Sequence, residues 1–314
     1  MPVAPTPPRK RSLWKRFRRA TRGPRNAVLA QGIFLMGRAV GMLPVPTGLA
    51  LGRALGRGAH TLLGTPRELA LKHVGEALPE LNPTARAQLV RATFEHAGQS
   101  FTELGLWRKL AHDPAYVRID GLDVLEEALA EGRGTFAVTG HVGNWELLAA
   151  TIAARGYPVS VVARRVNDER FNDLITRFRG DKGMNILLRD APDFMAQVRA
   201  ALRAGHIVAI LMDQDSRGAG VFVPFFGRLA HTPPGAAVLA LRTHAPVVSV
   251  FIQRRPEGGH VVTFERVSVE GAGRGQILEL TARFTAAIEA AIRKSPSEWV
   301  WWHERWRRQP DDGG

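Results

Sequence analysis

The sequence contains no cysteine. Disulfides and thiolate nucleophiles are therefore excluded, and a zinc ion would have to be held by histidine and carboxylates alone. No acidic residue interrupts 9–25, "RKRSLWKRFRRATRGPR", in which nine positions are Lys or Arg. Walker loop, Rossmann glycine fingerprint, zinc-finger spacing and RNA-binding aromatic signature are all missing, which lowers the case for nucleic acid as a partner. Internal repeats are absent, and low complexity is confined to the proline-rich first eight residues. What is present is a 314-residue chain with a globular apolar fraction of 45% and a net charge of +14. That length suffices for one large domain or two modest ones.

The charge is uneven, because the nine cations of the head leave only +5 for the rest of the chain. With Trp14 and Phe17 among them, the head suits nucleic acid or an anionic membrane surface, of which the following segment favours membrane, and a solvated tail is the bland reading. Next comes "AVLAQGIFLMGRAVGML" (27–43), interrupted by Gln31 and Arg38 and ended by Pro44 and Pro46. Its length is at the lower limit for a span, and a central arginine costs ~2.5–3.5 kcal/mol on insertion. No small-residue cleavage site follows, so the segment does not read as a secretory signal. A membrane-embedded or surface-lying helix is expected, with its basic side toward the cytoplasm. A true span is the close alternative.

Residues 47–110 read as helices, the last opened by an Asn82 cap and Pro83, with Leu89, Phe94, Ala97, Phe101 and Leu104 at core spacing. From about 113 the texture changes. β-branched runs such as "GTFAVTG", "YPVSVVAR", "MNILLR", "HIVAILMD", "PVVSVFIQRR" and "HVVTFERVSV" alternate with helical stretches, several closed by glycine. The expected class is α/β, a mixed sheet flanked by helices, with an N-terminal helical membrane-associating region. The division is 1–112 and 113–314.

"TGHVGNWELLAA" (139–150) puts His141 just past a strand's carboxyl end, where open α/β sheets bind ligands. Gly143 permits a sharp turn, Asn144 caps, and Glu146 falls in the first turn of the following helix. Folded back, Glu146 can accept from one ring nitrogen and leave the other free to take a proton. The helix dipole alone also favours a glutamate there. Asp213, Gln214 and Asp215 follow another strand end, as polar contacts of a pocket or as a capped turn; two carboxylates there are too few to hold a metal. "GVFVPFFGR" reads as the wall of an apolar channel, as core strand, or as both. In the closing "SEWVWWHERWRR", Trp299, Trp302 and Trp306 would share a helical face, suited either to the headgroup layer or to packing. His60, His73, His96, His231 and His303 have no partner that spacing can name.

"ARRVNDERFNDLITRFRGDKGMNIL", "LMDQDSRGAGVFVPFFGRLAHTPPGAAVLALRTHAPVVSVFI" and "WVWWHERWRR" together resemble the lipid A biosynthesis (lauroyl/myristoyl) acyltransferase family, within the lysophospholipid acyltransferase-like superfamily. The likeness covers nearly the whole chain. It implies an acyltransferase fold and transfer of a fatty acyl chain from a thioester, on acyl carrier protein or coenzyme A, to a hydroxyl of a membrane glycolipid such as a lipid A precursor. It implies work at the cytoplasmic face of the inner membrane with no cofactor and no metal. His141 would be the base, Glu146 its orienter, and Arg164 the group that steadies an oxyanion or an acceptor phosphate. Relatives usually carry proline after that arginine; here it is Arg165, and strand alternation would turn only one of the two inward. Asn144, Arg179, Asp213, Gln214, Asp215, Gly220, Phe225, Gly227 and Thr232 are the substrate-binding positions the likeness implies. Acylation of a lysophospholipid or another glycolipid, and a catalytically dead anionic-membrane binder, are the rival readings.

Overall fold

The computed structural model describes residues 31–32, 35–165, 169–215, 218–270 and 275–310. The basic head at 9–25 and positions 27–30, 33 and 34 of the hydrophobic segment lie outside them. Residues 35–42 are helical (α1), and among the described residues no helix is long and apolar enough to cross a membrane.

Three further helices precede the sheet: α2 (Val45–Leu62), α3 (Gly64–Ala77) and α4 (Pro83–Leu110). Asn82 does cap α4, its side chain accepting from Ala85 N at 2.9 Å. The buried stripe of α4 differs from the one that apolar spacing predicts. Phe94 is buried but Phe101 is exposed, and burial instead follows Val90, Thr93, His96, Gln99, Glu103 and Leu106. Polar side chains sit on this inner face because partners await them there, and periodicity counts only apolar residues.

Helix α2 inverts the usual pattern, burying Gly48, Gly52 and Gly56 while Leu51, Leu55 and Leu62 are exposed. The cause is a backbone-close crossing with α4. A Cβ at Gly52 would stand 2.5 Å from Thr102 Oγ1 and 2.6 Å from Gly98 O. Glycines four residues apart let two helices approach this closely, and the leucines are left on the outside.

Beyond α4 the α/β part runs β1 (Val117–Asp120), α5 (Leu122–Ala130), β2 (Thr135–Thr139), α6 (Trp145–Ala154), β3 (Val159–Ala163), α7 (Glu169–Gly180) and β4 (Met184–Leu188). It continues with α8 (Phe194–Arg203), β5 (Ile207–Leu211), β6 (Val221–Phe225), β7 (Arg228–Thr232), α9 (Gly235–Thr243), β8 (Val247–Arg254), β9 (His260–Val267) and α10 (Gln276–Lys294). Seven strands form one sheet in the order β1-β9-β8-β2-β5-β3-β4, mixed because β8 and β9 pair antiparallel while all other neighbours are parallel. Side chains alternate between its faces. Phe136 and Val138 of β2, with Val208 and Ile210 of β5, enter the core cluster that includes α9 and α10 residues. Ala137, Ile207 and Ala209 enter the opposite one, with α6. The first cluster also takes in Ala70 and Val74 of α3, so one apolar core runs across residue 112.

Strands β6 and β7 form a separate hairpin, turned at Phe226 and Gly227, both with positive φ. After α10 the chain makes a 3-10 turn (Pro296–Glu298), and no further α-helix follows among the described residues. The shared face expected for Trp299, Trp302 and Trp306 therefore does not form. Trp299, Trp301 and Trp306 are buried, and Trp302 is part-buried against Phe94 with ring centroids 5.0 Å apart. Packing decides here, since burying each such ring against neighbouring aromatics contributes more than exposing it to water.

The glycine seam can be tested by a matched pair. Gly56→Ala would drive a Cβ into the Phe94 carbonyl and Glu95 Cα, whereas Gly58 has open space around it. Denaturant titration should show Gly56→Ala destabilised by about 1–3 kcal/mol, as overpacking is. Gly58→Ala should be stabilised by about 0.5–1 kcal/mol. Equal effects at both positions would mean that α2 does not pack on α4 through this seam.

Candidate active site

Register alone brings the central pair together. Thr139 of β2 and Leu211 of β5 are paired neighbours, and His141 and Asp213 each lie two residues further on. The strands run parallel, so both side chains emerge at the same carboxyl edge. His141 Nδ1 donates to Asp213 Oδ1 at 2.7 Å, and the backbone N–H of His141 donates to Oδ2 at 2.8 Å. Trp299 Nε1 donates to that same Oδ2 at 2.8 Å.

Three donors on a fully buried carboxylate decide its charge. Burial pushes the Asp213 carboxyl up, but the His141 charge and the hydrogen bonds from His141 and Trp299 hold it at about 2. For His141, burial pushes the imidazole down, and the charge and hydrogen bond of Asp213 outweigh it, so the net shift is upward. With Nδ1 committed to Asp213, Nε2 is the nitrogen left to accept a proton.

The contact with the imidazole expected of Glu146 is made by Asp213. Glu146 in α6 binds Arg179 of α7 instead, with Arg179 Nε 3.2 and 3.3 Å from its two oxygens and Nη2 on Oε1 as well. An acidic first-turn residue facing a guanidinium gains more than one facing an imidazole that already has a carboxylate. Beside this pair Lys182 is buried over the Phe178 ring, and burial pushes its ammonium down to about 7. The Trp145 ring meets the His141 imidazole edge-on at 4.8 Å.

Asn144 is corrected too. Its Oδ1 caps Leu147 N at 3.1 Å, and its Nδ2 donates to Glu103 Oε2 at 2.8 Å and to Ser100 O. Both ends are bonded inside the protein, and Asn144 does not line the pocket described below.

A pocket of about 850 Å³ opens along this edge. Its apolar lining includes Val161, Ile175, Ile186, Leu188, Phe194, Ile210, Met212 and Leu239, and its cationic lining is Arg164, Arg165, Arg179, Arg189 and Arg307. Arg164 and Arg165 both face it, because β3 ends at Ala163 and alternation no longer applies beyond that residue. Gln214 and Asp215 also line it. Asp215, however, has a fully buried carboxylate bound to His231 at 3.0 Å and to Arg307 and Arg308 at 3.1 Å each. His303, left without a partner by the sequence, accepts from Asp215 N through Nε2.

The β6–β7 stretch does not line the pocket. Gly220 lies against the His231 ring, Phe225 packs on Trp299 and Trp306, Gly227 makes the hairpin turn, and Thr232 Oγ1 accepts from Arg305. These four positions pack within the protein, and the apolar lining of the pocket comes chiefly from β3, β4, β5, α7 and α9. Among the described residues no group of three or more His, Asp or Glu stands together to hold a metal ion. Sequence reasoning passed over Trp299 as an Asp213 donor, Arg189 and Arg307 as pocket cations, and Glu103. Equal distances past paired strand ends were the one signal for the His141–Asp213 pair.

The site is thus a histidine whose Nε2 can accept a proton, at the carboxyl edge of an α/β sheet and beside a pocket part apolar and part cationic, where enzymes of this class of fold place their ligands. The family model for bacterial lipid A biosynthesis acyltransferases matches residues 14–308, and the chain belongs to that family of acyl-transferring enzymes. Over 281 residues it is 26% identical to the lipid A biosynthesis lauroyltransferase of Escherichia coli (86% of this chain, 88% of the relative). It is 24% identical to the palmitoleoyltransferase of the same organism over 273 residues, 85% of this chain and 87% of that one. A phosphatidylinositol mannoside acyltransferase of Mycobacterium tuberculosis is 26% identical over 202 residues, 63% of this chain and 62% of the relative.

The electrostatics are open to direct test. In the wild type the His141 imidazole should titrate above the usual histidine range. In Asp213→Asn the two largest effects that oppose burial are lost and only the weaker pull of the Glu146 charge remains, so the same imidazole should titrate lower than in the wild type. Histidine ring NMR against pH measures both. An unchanged His141 titration in Asp213→Asn would rule out the pairing.

Proposed function

We propose that the protein moves a fatty acyl chain from a thioester, on acyl carrier protein or coenzyme A, to a hydroxyl of a phosphate-bearing glycolipid such as a lipid A precursor. His141 is the general base and Asp213 its orienter. The observation that carries this reading is the Asp213–His141 pair at the mouth of a pocket with apolar walls and five arginines.

The steps follow from that geometry. His141 Nε2 takes the proton of the acceptor hydroxyl as its oxygen attacks the thioester carbonyl. Asp213 stabilises the imidazolium that forms and keeps the ring in the right tautomer. Collapse of the tetrahedral intermediate expels the thiolate, which takes the proton back from His141 as the ester is completed. No acyl-enzyme is required, because the thioester is already activated.

Arg164 starts two strands away from His141, roughly 10 Å across the sheet at ~4.8 Å per strand. It follows Ala163, which pairs with Leu188, so Arg164 and Arg189 stand side by side. That distance suits an acceptor phosphate better than an oxyanion, which needs donors within about 3 Å. Arg179, braced by Glu146, offers a second fixed guanidinium. The apolar lining suits an acyl chain.

Membrane attachment at the cytoplasmic face of the inner membrane is part of the same reading. It is supported by the nine cations at 9–25 and by the exposed leucines of α2.

His141→Ala should lower kcat by about 10²–10⁴-fold with the fold intact. Arg164→Ala should chiefly raise the apparent KM for a phosphorylated acceptor. Steady-state assays with acyl thioesters and a panel of glycolipid acceptors read both, and near-wild-type turnover by His141→Ala would end the proposal.

Deleting residues 1–25 should weaken binding to anionic vesicles at low salt by about 1 kcal/mol for each cation near the surface. The deficit should shrink as salt is added. Vesicle sedimentation measures it, and a salt-independent deficit would mean that charge is not what the head supplies.

A further inference from the structure

Glu103 is fully buried on the inner face of α4 and carries four side-chain partners from four separate places in the chain. Its Oε1 accepts from Tyr116 Oη at 2.7 Å, His260 Nε2 at 2.9 Å and Arg254 Nη1 at 2.8 Å. Its Oε2 accepts from Asn144 Nδ2 at 2.8 Å. Burial alone would push this carboxyl up, yet the charges and hydrogen bonds of His260 and Arg254 hold it far below the usual carboxylate range. A buried carboxylate with that many donors has one arrangement available, which is what makes it a rigid reference point.

What the cluster holds is the turn that carries His141. Asn144 is the N-cap of α6, three residues after His141. Gly143 N donates to Glu298 O at 2.9 Å, and the Glu298 carboxylate in turn accepts from Arg254 N at 3.0 Å. Val142 bridges to Trp299. Gly143 has φ +63, and a Cβ there would collide with the Ile252 carbonyl, so the turn lies against β8 with no slack. Arg254, on the same β8, touches both Glu103 and the Glu298 anchor.

We propose that Glu103 is a positioning residue for acyl transfer, acting through Asn144 to fix the turn that presents His141 to substrate. Glu103 lies outside the pocket lining. Its effect falls on the placement of the base, so it governs turnover and leaves binding of either substrate nearly untouched. A base displaced by about 1 Å loses on the order of 10²-fold in rate.

The chemistry of the Glu103–Asn144 contact supplies a reciprocal test. In Glu103→Gln the amide turns an N–H₂ toward the N–H₂ of Asn144. Either the contact breaks or Asn144 flips and gives up its cap on Leu147 N. Adding Asn144→Asp reverses the polarity of the bond. The introduced glutamine amide then donates, and the introduced aspartate accepts both from that amide and from Leu147 N. The swap also returns one carboxylate to the cluster beside Arg254.

Steady-state kinetics, with thermal melts of the same samples, should show Glu103→Gln reduced at least tenfold in kcat with both KM values within twofold of wild type. The double variant Glu103→Gln/Asn144→Asp should recover to within about threefold of wild type. A merely structural role would lower the melting temperature while the folded enzyme kept its kcat. If Glu103→Gln does not fold, Asn144→Ser serves instead, because it keeps a capping oxygen but is too short to reach Glu103, and it should lose kcat likewise. Wild-type kcat in a folded Glu103→Gln or Asn144→Ser, or a double variant no better than Glu103→Gln, overturns the inference. The inference rests on His141 as the base. An active His141→Ala would sink that reading itself, whereas an unaffected Glu103→Gln beside a dead His141→Ala sinks only the positioning role.

Discussion

One carboxylate, Asp213, sets the terms for the rest of this structure. Taking it out of water costs several kcal/mol unless donors surround it. Three do: the ring and the backbone N–H of His141, and the indole of Trp299. Each donor constrains a different part of the chain. The ring contact fixes the β2–β5 register, the backbone contact fixes the turn after β2, and the indole requires residue 299 to come back over the sheet. The closing tryptophans are buried because one of them must supply that bond, and Phe225, Trp301 and Trp306 pack around it.

The same logic recurs one turn away. Asp215 is buried with His231, Arg307 and Arg308 as partners, and Arg305 binds His231 O and Thr232. The last ten described residues are therefore strapped across the carboxyl edge by charge-assisted bonds, which are about twice as strong as neutral ones. This strap and the β3–β4 ends form two cationic sides of one pocket, with apolar side chains from β3, β4 and β5 between them. An amphiphile with a charged group at its head and an acyl chain below fits that division of labour.

Much of the sheet was legible in the residues. "GTFAVTG", "YPVSVVAR" and "HIVAILMD" fall on β2, β3 and β5, because β-branched runs bounded by turn residues leave few other choices. The four-residue β1 and the short α5 carry no such signature. At the site, His141 and its strand-end location were readable, but its partner was not. Glu146 is five residues away and Asp213 is 72 away, and local spacing cannot see across two strands. Glu146 has a guanidinium from α7 to answer instead. The polar stripe of α4 was invisible for a related reason: Glu103 and Gln99 look like surface residues until the partners they meet are known. The tryptophans at 299, 302 and 306 had helical spacing but no helix, since α10 ends at Lys294 and the chain after Glu298 runs in turns.

Asp213, in direct contact with the ring, raises the His141 imidazole more than Glu146 does. The pH dependence of kcat for acyl transfer by Asp213→Asn and by Glu146→Gln tests this most directly. A His141 that acts as the proposed base must be neutral, so activity should rise with pH through its upward-shifted titration. Asp213→Asn should move the acid limb of the profile to lower pH and lower the plateau, while Glu146→Gln should move that limb less. A limb displaced by Glu146→Gln and untouched by Asp213→Asn would contradict the assignment.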